Sequence, residues 1–138
     1  HHVMPNLVKR FFIDKERPFK IYGGTQTMSF CYISDAVDAT ILSMNSNISN
    51  KQIYNIGNNE EITIDSLVKE VGKYFKYKDN YINKEPLLGS VTRRCPDISK
   101  VEKDLSFHPN IHWKDGLIET LKWYESFYKK GCEENGFA

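Results

Sequence analysis

The amino-acid sequence predicts a small mixed α/β domain with few short strands. Short β-rich runs such as Phe19-Lys20-Ile21-Tyr22 alternate with longer segments whose apolar residues recur at helical spacing. Clusters of Gly, Pro, Asn and Ser mark the joins between them, and there is neither an internal repeat nor a low-complexity block. With 138 residues the chain is long enough for one compact domain with a modest core.

The elements follow in order. Leu7, Val8, Phe11 and Phe12 recur at helical spacing and predict a short helix that ends before Pro18. Phe19–Tyr22 and Ser29–Ile33 read as strands, and the intervening Gly23-Gly24-Thr25-Gln26-Thr27 suggests a hairpin or tight strand-loop-strand. Ser34 is the expected cap of the next helix, whose apolar stripe is Ala36, Val37, Thr40, Ile41 and Met44. The Asn- and Ser-rich run 45–50 ends it. A short strand is expected over Gln52–Ile56, closed by a turn at Asn55 to Asn59 in which Gly57 supplies a positive φ.

Thr63 is the expected N-cap of a helix with Ile64, Leu67, Val68, Val71 and Phe75 on one face. The stretch from Tyr77 to Leu88 reads as irregular, and Ser90 to Arg94 as extended, because the residue before Pro96 is pushed away from helix. Asp97 is placed to cap a helix over Ser99–Leu105. A final helix starts near Trp113 and runs to about Tyr128, with Leu117, Leu121, Tyr124 and Tyr128 on one face. Residues 1–3 read as tag or linker, 4–128 as the domain, and 129–138 as a flexible tail.

Composition narrows the classes. Hydrophobic residues make up 40% and charged residues 27%, which suits neither a disordered tail nor a membrane span. A formal charge of +1 gives no overall basic field for nucleic acid, so no nucleic-acid partner is expected. No apolar run approaches the roughly 18 to 20 residues that cross a bilayer, and no membrane partner is expected. Cys31, Cys95 and Cys132 fit no metal spacing, and an odd count without a secretory signal points to reduced thiols in the cytoplasm. Cys31 reads as a small core hydrophobe. Pro5-Asn6-Leu7-Val8 runs straight into a periodic segment with nothing to initiate a domain, as in a piece of a longer protein.

No chemistry is named by a single motif. The chain lacks G-x-G-x-x-G, G-x-S-x-G and C-x-x-C, and no carboxylate pair stands out. His108 beside Pro109 and His112 beside Trp113 read as solvated loop residues, and Trp113, Trp123 and Phe127 as core or interface aromatics.

The order of weak motifs says more. Ile21-Tyr22-Gly23-Gly24-Thr25-Gln26-Thr27-Met28-Ser29-Phe30 is followed by Tyr32-Ile33-Ser34-Asp35-Ala36-Val37 and Tyr54-Asn55-Ile56-Gly57. Then come Arg94-Cys95-Pro96-Asp97-Ile98-Ser99-Lys100, Leu105-Ser106-Phe107-His108-Pro109 and Trp113-Lys114-Asp115-Gly116-Leu117. From about Met4 to Tyr128 this series resembles the C-terminal half of NAD-dependent nucleotide-sugar epimerases, 4,6-dehydratases and UDP-glucuronate decarboxylases, in the extended short-chain dehydrogenase/reductase family.

The resemblance implies the substrate-binding C-terminal half of an extended Rossmann-type enzyme without its NAD-binding domain. NAD and the catalytic Tyr-x-x-x-Lys pair would belong to the other half, so no catalytic residue and no cofactor is expected in this chain. The intact enzyme would be a homodimer acting on a nucleoside-diphosphate sugar. A free-standing nucleotide-sugar-binding or regulatory module, and a structural domain without ligand, are the competing readings.

Substrate residues follow from the resemblance and from phosphate chemistry. Arginine's planar fork suits phosphate oxygens. Arg93 and Arg94 point to opposite faces of an extended backbone, and Arg94 matches the family's Arg-x-Pro-Asp spacing. Ile21 and Tyr22 match the strand that borders the nucleobase, and Asn6 and Leu7 the segment that enters the pocket near sugar and base. Where the family has a further phosphate-reaching arginine, this chain has Met28, and either Arg93 or a lysine could compensate. Asp35 reads as structural, at a helix start.

Overall fold

A computed structural model describes residues 2–134. Helix α1 (Val3–Val8) continues directly into one π-helical stretch, Lys9–Ile13. Strand β1 (Phe19–Tyr22) follows, then β2 (Thr27–Met28), α2 (Ile33–Asn45) and a short 3-10 turn at Asn47–Ser49. The chain continues through β3 (Ile62–Thr63), α3 (Ile64–Tyr74), β4 (Tyr81–Lys84) and β5 (Arg93–Arg94). It closes with α4 (Ser99–Leu105) and α5 (Trp113–Glu134).

The strands form two small sheets. β1 pairs in parallel with β4, Phe19 opposite Tyr81 and Tyr22 opposite Lys84. β2 lies between β3 and β5, antiparallel to the first and parallel to the second. Of the two expected alternatives the tight strand-loop-strand is the one formed, not the hairpin: β1 and β2 belong to different sheets. Gly23, at φ 62, turns the chain out of β1, and its N–H donates to the Lys84 carbonyl. The strand expected at Ser29–Ile33 is displaced to Thr27–Met28, because β2 finds its partners there.

The main core lies where α1, α3 and α5 meet β1. Leu7, Val8, Phe11, Phe19, Ile21, Leu67, Val68, Val71 and Leu121 are buried in it. The Phe11 and Phe19 rings stack at 3.8 Å between centroids. Thr63 caps α3 as expected, accepting a hydrogen bond from the Ser66 N–H at 3.1 Å. Burying Leu67, Val68 and Val71 is worth about 1.5–3 kcal/mol for each side chain. β4 lies within the stretch read as irregular; it is polar and mostly exposed, so only its pairing with β1 defines it.

A second, smaller core joins α2 to α4 through Ala39, Ile98, Val101, Leu105 and Phe107. Asp35 is buried in this unit, and its carboxylate accepts from the Asn110 and Ile111 N–H groups at 3.2 and 3.1 Å. The N-cap of α2 is Tyr32, with no side-chain cap, and Ser34 lies inside the first turn. Most of the apolar stripe on α2 is not covered within this chain: Val37, Ile41 and Met44 are exposed, and the buried side of α2 is Asp35 and Ala39.

Gln52–Ile56 forms no ladder. Lys100 Nζ instead holds Gln52 Oε1 at 3.0 Å and the Ile53 carbonyl at 3.1 Å. Gly57 does not take a positive φ either; it is needed for space, since a Cβ there would sit 2.6 Å from Pro96 Cγ. Asp97 accepts from the Ser99 N–H at 2.9 Å, but it stands one residue before the N-cap Ile98.

The ends differ from the expected boundaries as well. Val3 starts α1 and packs on the core, so it is no linker. Helix α5 runs on to Glu134, past the expected end at Tyr128, with a Lys129–Glu125 ion pair of 2.7 Å supporting that part. His1 and residues 135–138, the rest of the expected tag and tail, lie outside the described residues. Among the described residues no helix is long and apolar enough to cross a membrane.

Candidate functional site

Four of the six residues singled out from sequence share one cleft of about 490 Å³. Asn6 and Leu7 come from α1, and Ile21 and Tyr22 from β1. Alternation along β1 buries Ile21 and leaves Tyr22 at 38% exposure, so Tyr22 is a wall and no core aromatic. Leu7, Ile21, Ile64 and Val68 make an apolar floor, while Asn6, Arg10, Tyr22 and Gln26 supply polar groups. An apolar cleft of this size with a few placed polar groups is the usual form of a small-molecule site. A tighter cavity of about 170 Å³ between Met4, Phe30, Trp113 and Leu117 has no charged group in its wall.

The remaining two residues, Arg93 and Arg94, stand together on β5 beside β2, where Thr27 faces Arg93 and Met28 faces Arg94 in register. Their surroundings differ. Arg93 Nε lies 2.9 and 3.0 Å from the two Glu61 carboxylate oxygens, and Thr27 Oγ1 donates to the same carboxylate at 2.8 Å. The Arg93 hydrogen bond, helped by Thr27, holds the Glu61 carboxyl below its ordinary range. Arg94 has no ion-pair partner among the described residues. Met28, where the family's arginine was expected, packs part-buried against the main core. Gln26 links the two places: it lines the cleft, its amide reaches Ser90 Oγ at 3.0 Å, and β2 starts at the next residue.

Arg10 escaped sequence reasoning. An arginine on an amphipathic helix reads as solvated, and only the π-helical stretch and the return of Glu16 and Lys20 place it at the cleft. The histidines are exposed: His108 Nδ1 is 3.5 Å from Glu102 and His112 Nε2 3.2 Å from Glu60. Cys31 is half-buried, and burial pushes its thiol up. Trp113 packs on the core, whereas Trp123 and Phe127 stack on each other at the surface. No cluster of three or more metal-ligating side chains occurs among the described residues.

Comparison with known proteins places this architecture. The profile of the NAD dependent epimerase/dehydratase family matches residues 1–57. A UDP-N-acetyl-alpha-D-glucosaminuronate decarboxylase of Bacillus cytotoxicus is 34% identical over 112 residues, covering 75% of this chain and 34% of that protein. A UDP-glucuronate 4-epimerase of Thermodesulfobacterium geofontis is 35% identical over 118 residues, covering 81% of this chain and 35% of that protein. Among solved structures, UDP-glucuronic acid 4-epimerase from Bacillus cereus in complex with UDP-glucuronic acid and NAD superposes with a TM-score of 0.78 at 25% identity. That match takes in 92% of this chain and 40% of the epimerase. The chain thus spans about a third of the length of the curated relatives it matches.

Among the described residues no glycine-rich turn opens a helix. A dinucleotide cradle needs a glycine-rich turn that opens a helix. Gly23-Gly24 instead leads from one strand to another.

Proposed function

We infer that this chain belongs to the NAD-dependent epimerase/dehydratase family and forms the nucleotide-sugar-binding part of an enzyme that epimerises, dehydrates or decarboxylates an activated sugar. One observation carries the reading: Asn6, Leu7, Ile21 and Tyr22 converge on a single cleft, whose Gln26 leads into β2, the strand paired with the one that bears Arg94. The base and ribose occupy the cleft, and the diphosphate lies toward β5. Arg94 takes the phosphate oxygens, because Arg93 is already neutralised by Glu61. Met28 offers no second cation, so the diphosphate depends on Arg94 more heavily than on any other side chain of this chain.

The rest of the protein supplies NAD and the groups that move hydride and proton. The outward stripe of Val37, Ile41 and Met44 supports that division, since exposed apolar surface on this scale calls for a covering partner and disfavours a free-standing module. The proposed assembly is a homodimer through the part outside this chain, working in the cytoplasm on surface-polysaccharide or activated-sugar synthesis. Free Cys31 and Cys95 suit a reducing compartment.

Calorimetric titration with UDP-, dTDP-, GDP- and CDP-sugars tests the reading. Saturable binding that Arg94→Ala weakens by more than about tenfold, roughly 1.4 kcal/mol, is expected. Binding indifferent to Arg94→Ala would move the diphosphate elsewhere.

A further inference from the structure

Arg10 has a use beyond packing. Its guanidinium is held from three sides: Nε lies 2.6 Å from Glu16 Oε2, Nη2 lies 3.1 Å from Glu16 Oε1, and Nη2 also donates to the Lys20 carbonyl at 2.5 Å. The plane sits over Phe19, 4.1 Å from the ring centroid, and 5.8 Å from that of Tyr22. Nη1 has no partner among the described residues. No buried side-chain nitrogen or oxygen goes unpaired among those residues, so Nη1 is open to solvent, on a residue that lines the cleft.

We infer that Arg10 is a specificity-determining residue that reads the keto edge of the nucleobase through Nη1, a reading that rests on the cleft being a nucleotide site. Glu16 cancels the charge of Arg10. A neutralised guanidinium is a poor rival to Arg94 for a diphosphate, yet it keeps its rigid donors. Arginine donates and never accepts. Uracil, thymine and guanine present a keto oxygen on the edge where cytosine and adenine present an amino group. The keto bases accept from Nη1; the amino bases bring donor against donor and leave both unpaired. Tyr22, half exposed in the same cleft, gives the base ring a flat face to lie on. Fixing by Glu16 and Lys20 means that little rotamer freedom is lost on binding.

The test uses the full-length protein that carries this chain, titrated with UDP, dTDP, GDP, CDP, ADP and inorganic pyrophosphate. The best keto-base diphosphate should exceed CDP and ADP by at least about tenfold. Arg10→Gln can turn either a donor or an acceptor to the base; it should erase that margin while pyrophosphate affinity stays within about twofold. In the wild-type protein the Arg10 side-chain nitrogen resonance should shift with the preferred nucleotide and stay put with pyrophosphate, which decides the matter even where the variant fails to fold. A margin that survives Arg10→Gln, pyrophosphate binding that falls in step with nucleotide binding, or an unmoved resonance would each overturn the assignment while leaving the nucleotide site intact. No binding of any nucleotide by the wild type would remove the site itself, and this assignment with it.

Discussion

The part of the molecule built on α1, α3, α5 and β1 closes a core of its own, whereas the α2–α4 unit turns much of its apolar surface outward. In the first, Val8, Phe19, Val71 and Leu121 are fully buried. In the second, Ala39 and Val101 are fully buried, but Ile33, Val37, Ile41, Leu42 and Met44 stay exposed on α2. The cleft belongs to the first part, with its walls on α1 and β1. The difference teaches that the part holding the cleft buries its own core, while the α2–α4 unit leaves one apolar face of α2 uncovered within this chain.

The largest expected effect contrasts Leu121→Ala with Met44→Ala. Leu121 is fully buried, and its truncation should cost about 2–5 kcal/mol in urea unfolding. Met44 is 80% exposed on α2, and its truncation should stay within about 0.5 kcal/mol. Similar costs at the two positions would break the comparison, because α2 would then be packed in this chain alone.

Next is Gly57→Ala. The added Cβ would lie 2.6 Å from Pro96 Cγ, and a proline ring has no flexible end to move aside. Overpacking of this kind costs about 1–3 kcal/mol. Hydrogen exchange should speed up in α2 and α4 more than in α3. Equal acceleration throughout would mean that the two regions unfold as one.

A third, smaller effect concerns association. Val37→Glu with Ile41→Lys replaces the stripe by an ion pair spaced for a helix. The isolated chain should self-associate through α2, and the double variant should weaken this by about tenfold in sedimentation velocity, near 1.4 kcal/mol. A wild-type chain that remains monomeric at high concentration would show that the exposed stripe is not sticky.

The same division explains what could be read from sequence. Helix α3 was legible because Thr63 and the Ile64, Leu67, Val68, Val71 period agree, and both act locally. Asn6, Leu7, Ile21 and Tyr22 were legible as a group through the family resemblance, and the fold gathers them. β4 was not, because Tyr81-Ile82-Asn83-Lys84 carries little pattern and is fixed only by a distant strand. The α2 stripe has the period of a packed helix, and period cannot say whether the packing partner is in the same chain. Gly57 reads as a turn in the sequence because closeness to Pro96 is invisible without the fold. The role of Arg10 was hidden for the same reason, since Glu16 and Lys20 meet it only after the chain turns back.

The smallest effect is electrostatic and lies within the self-contained part. Glu16 receives Arg10 Nε at 2.6 Å and the Lys20 N–H at 3.2 Å. The Arg10 hydrogen bond is the chief cause that holds its carboxyl below the ordinary range, against partial burial that pushes it up. A carboxylate lowered in the folded state contributes stability that is complete above its unfolded value, about 4.3, and is lost as pH falls through the lower folded value. Glu16→Gln should therefore cost a constant amount from neutral pH down to about pH 5, and the wild-type advantage should then shrink with further acidification. Unfolding in urea at a series of pH values reads this directly. An advantage that persists unchanged into strong acid would mean that Glu16 acts through its shape alone, and that the Arg10 guanidinium keeps its place over Phe19 without the charge beneath it.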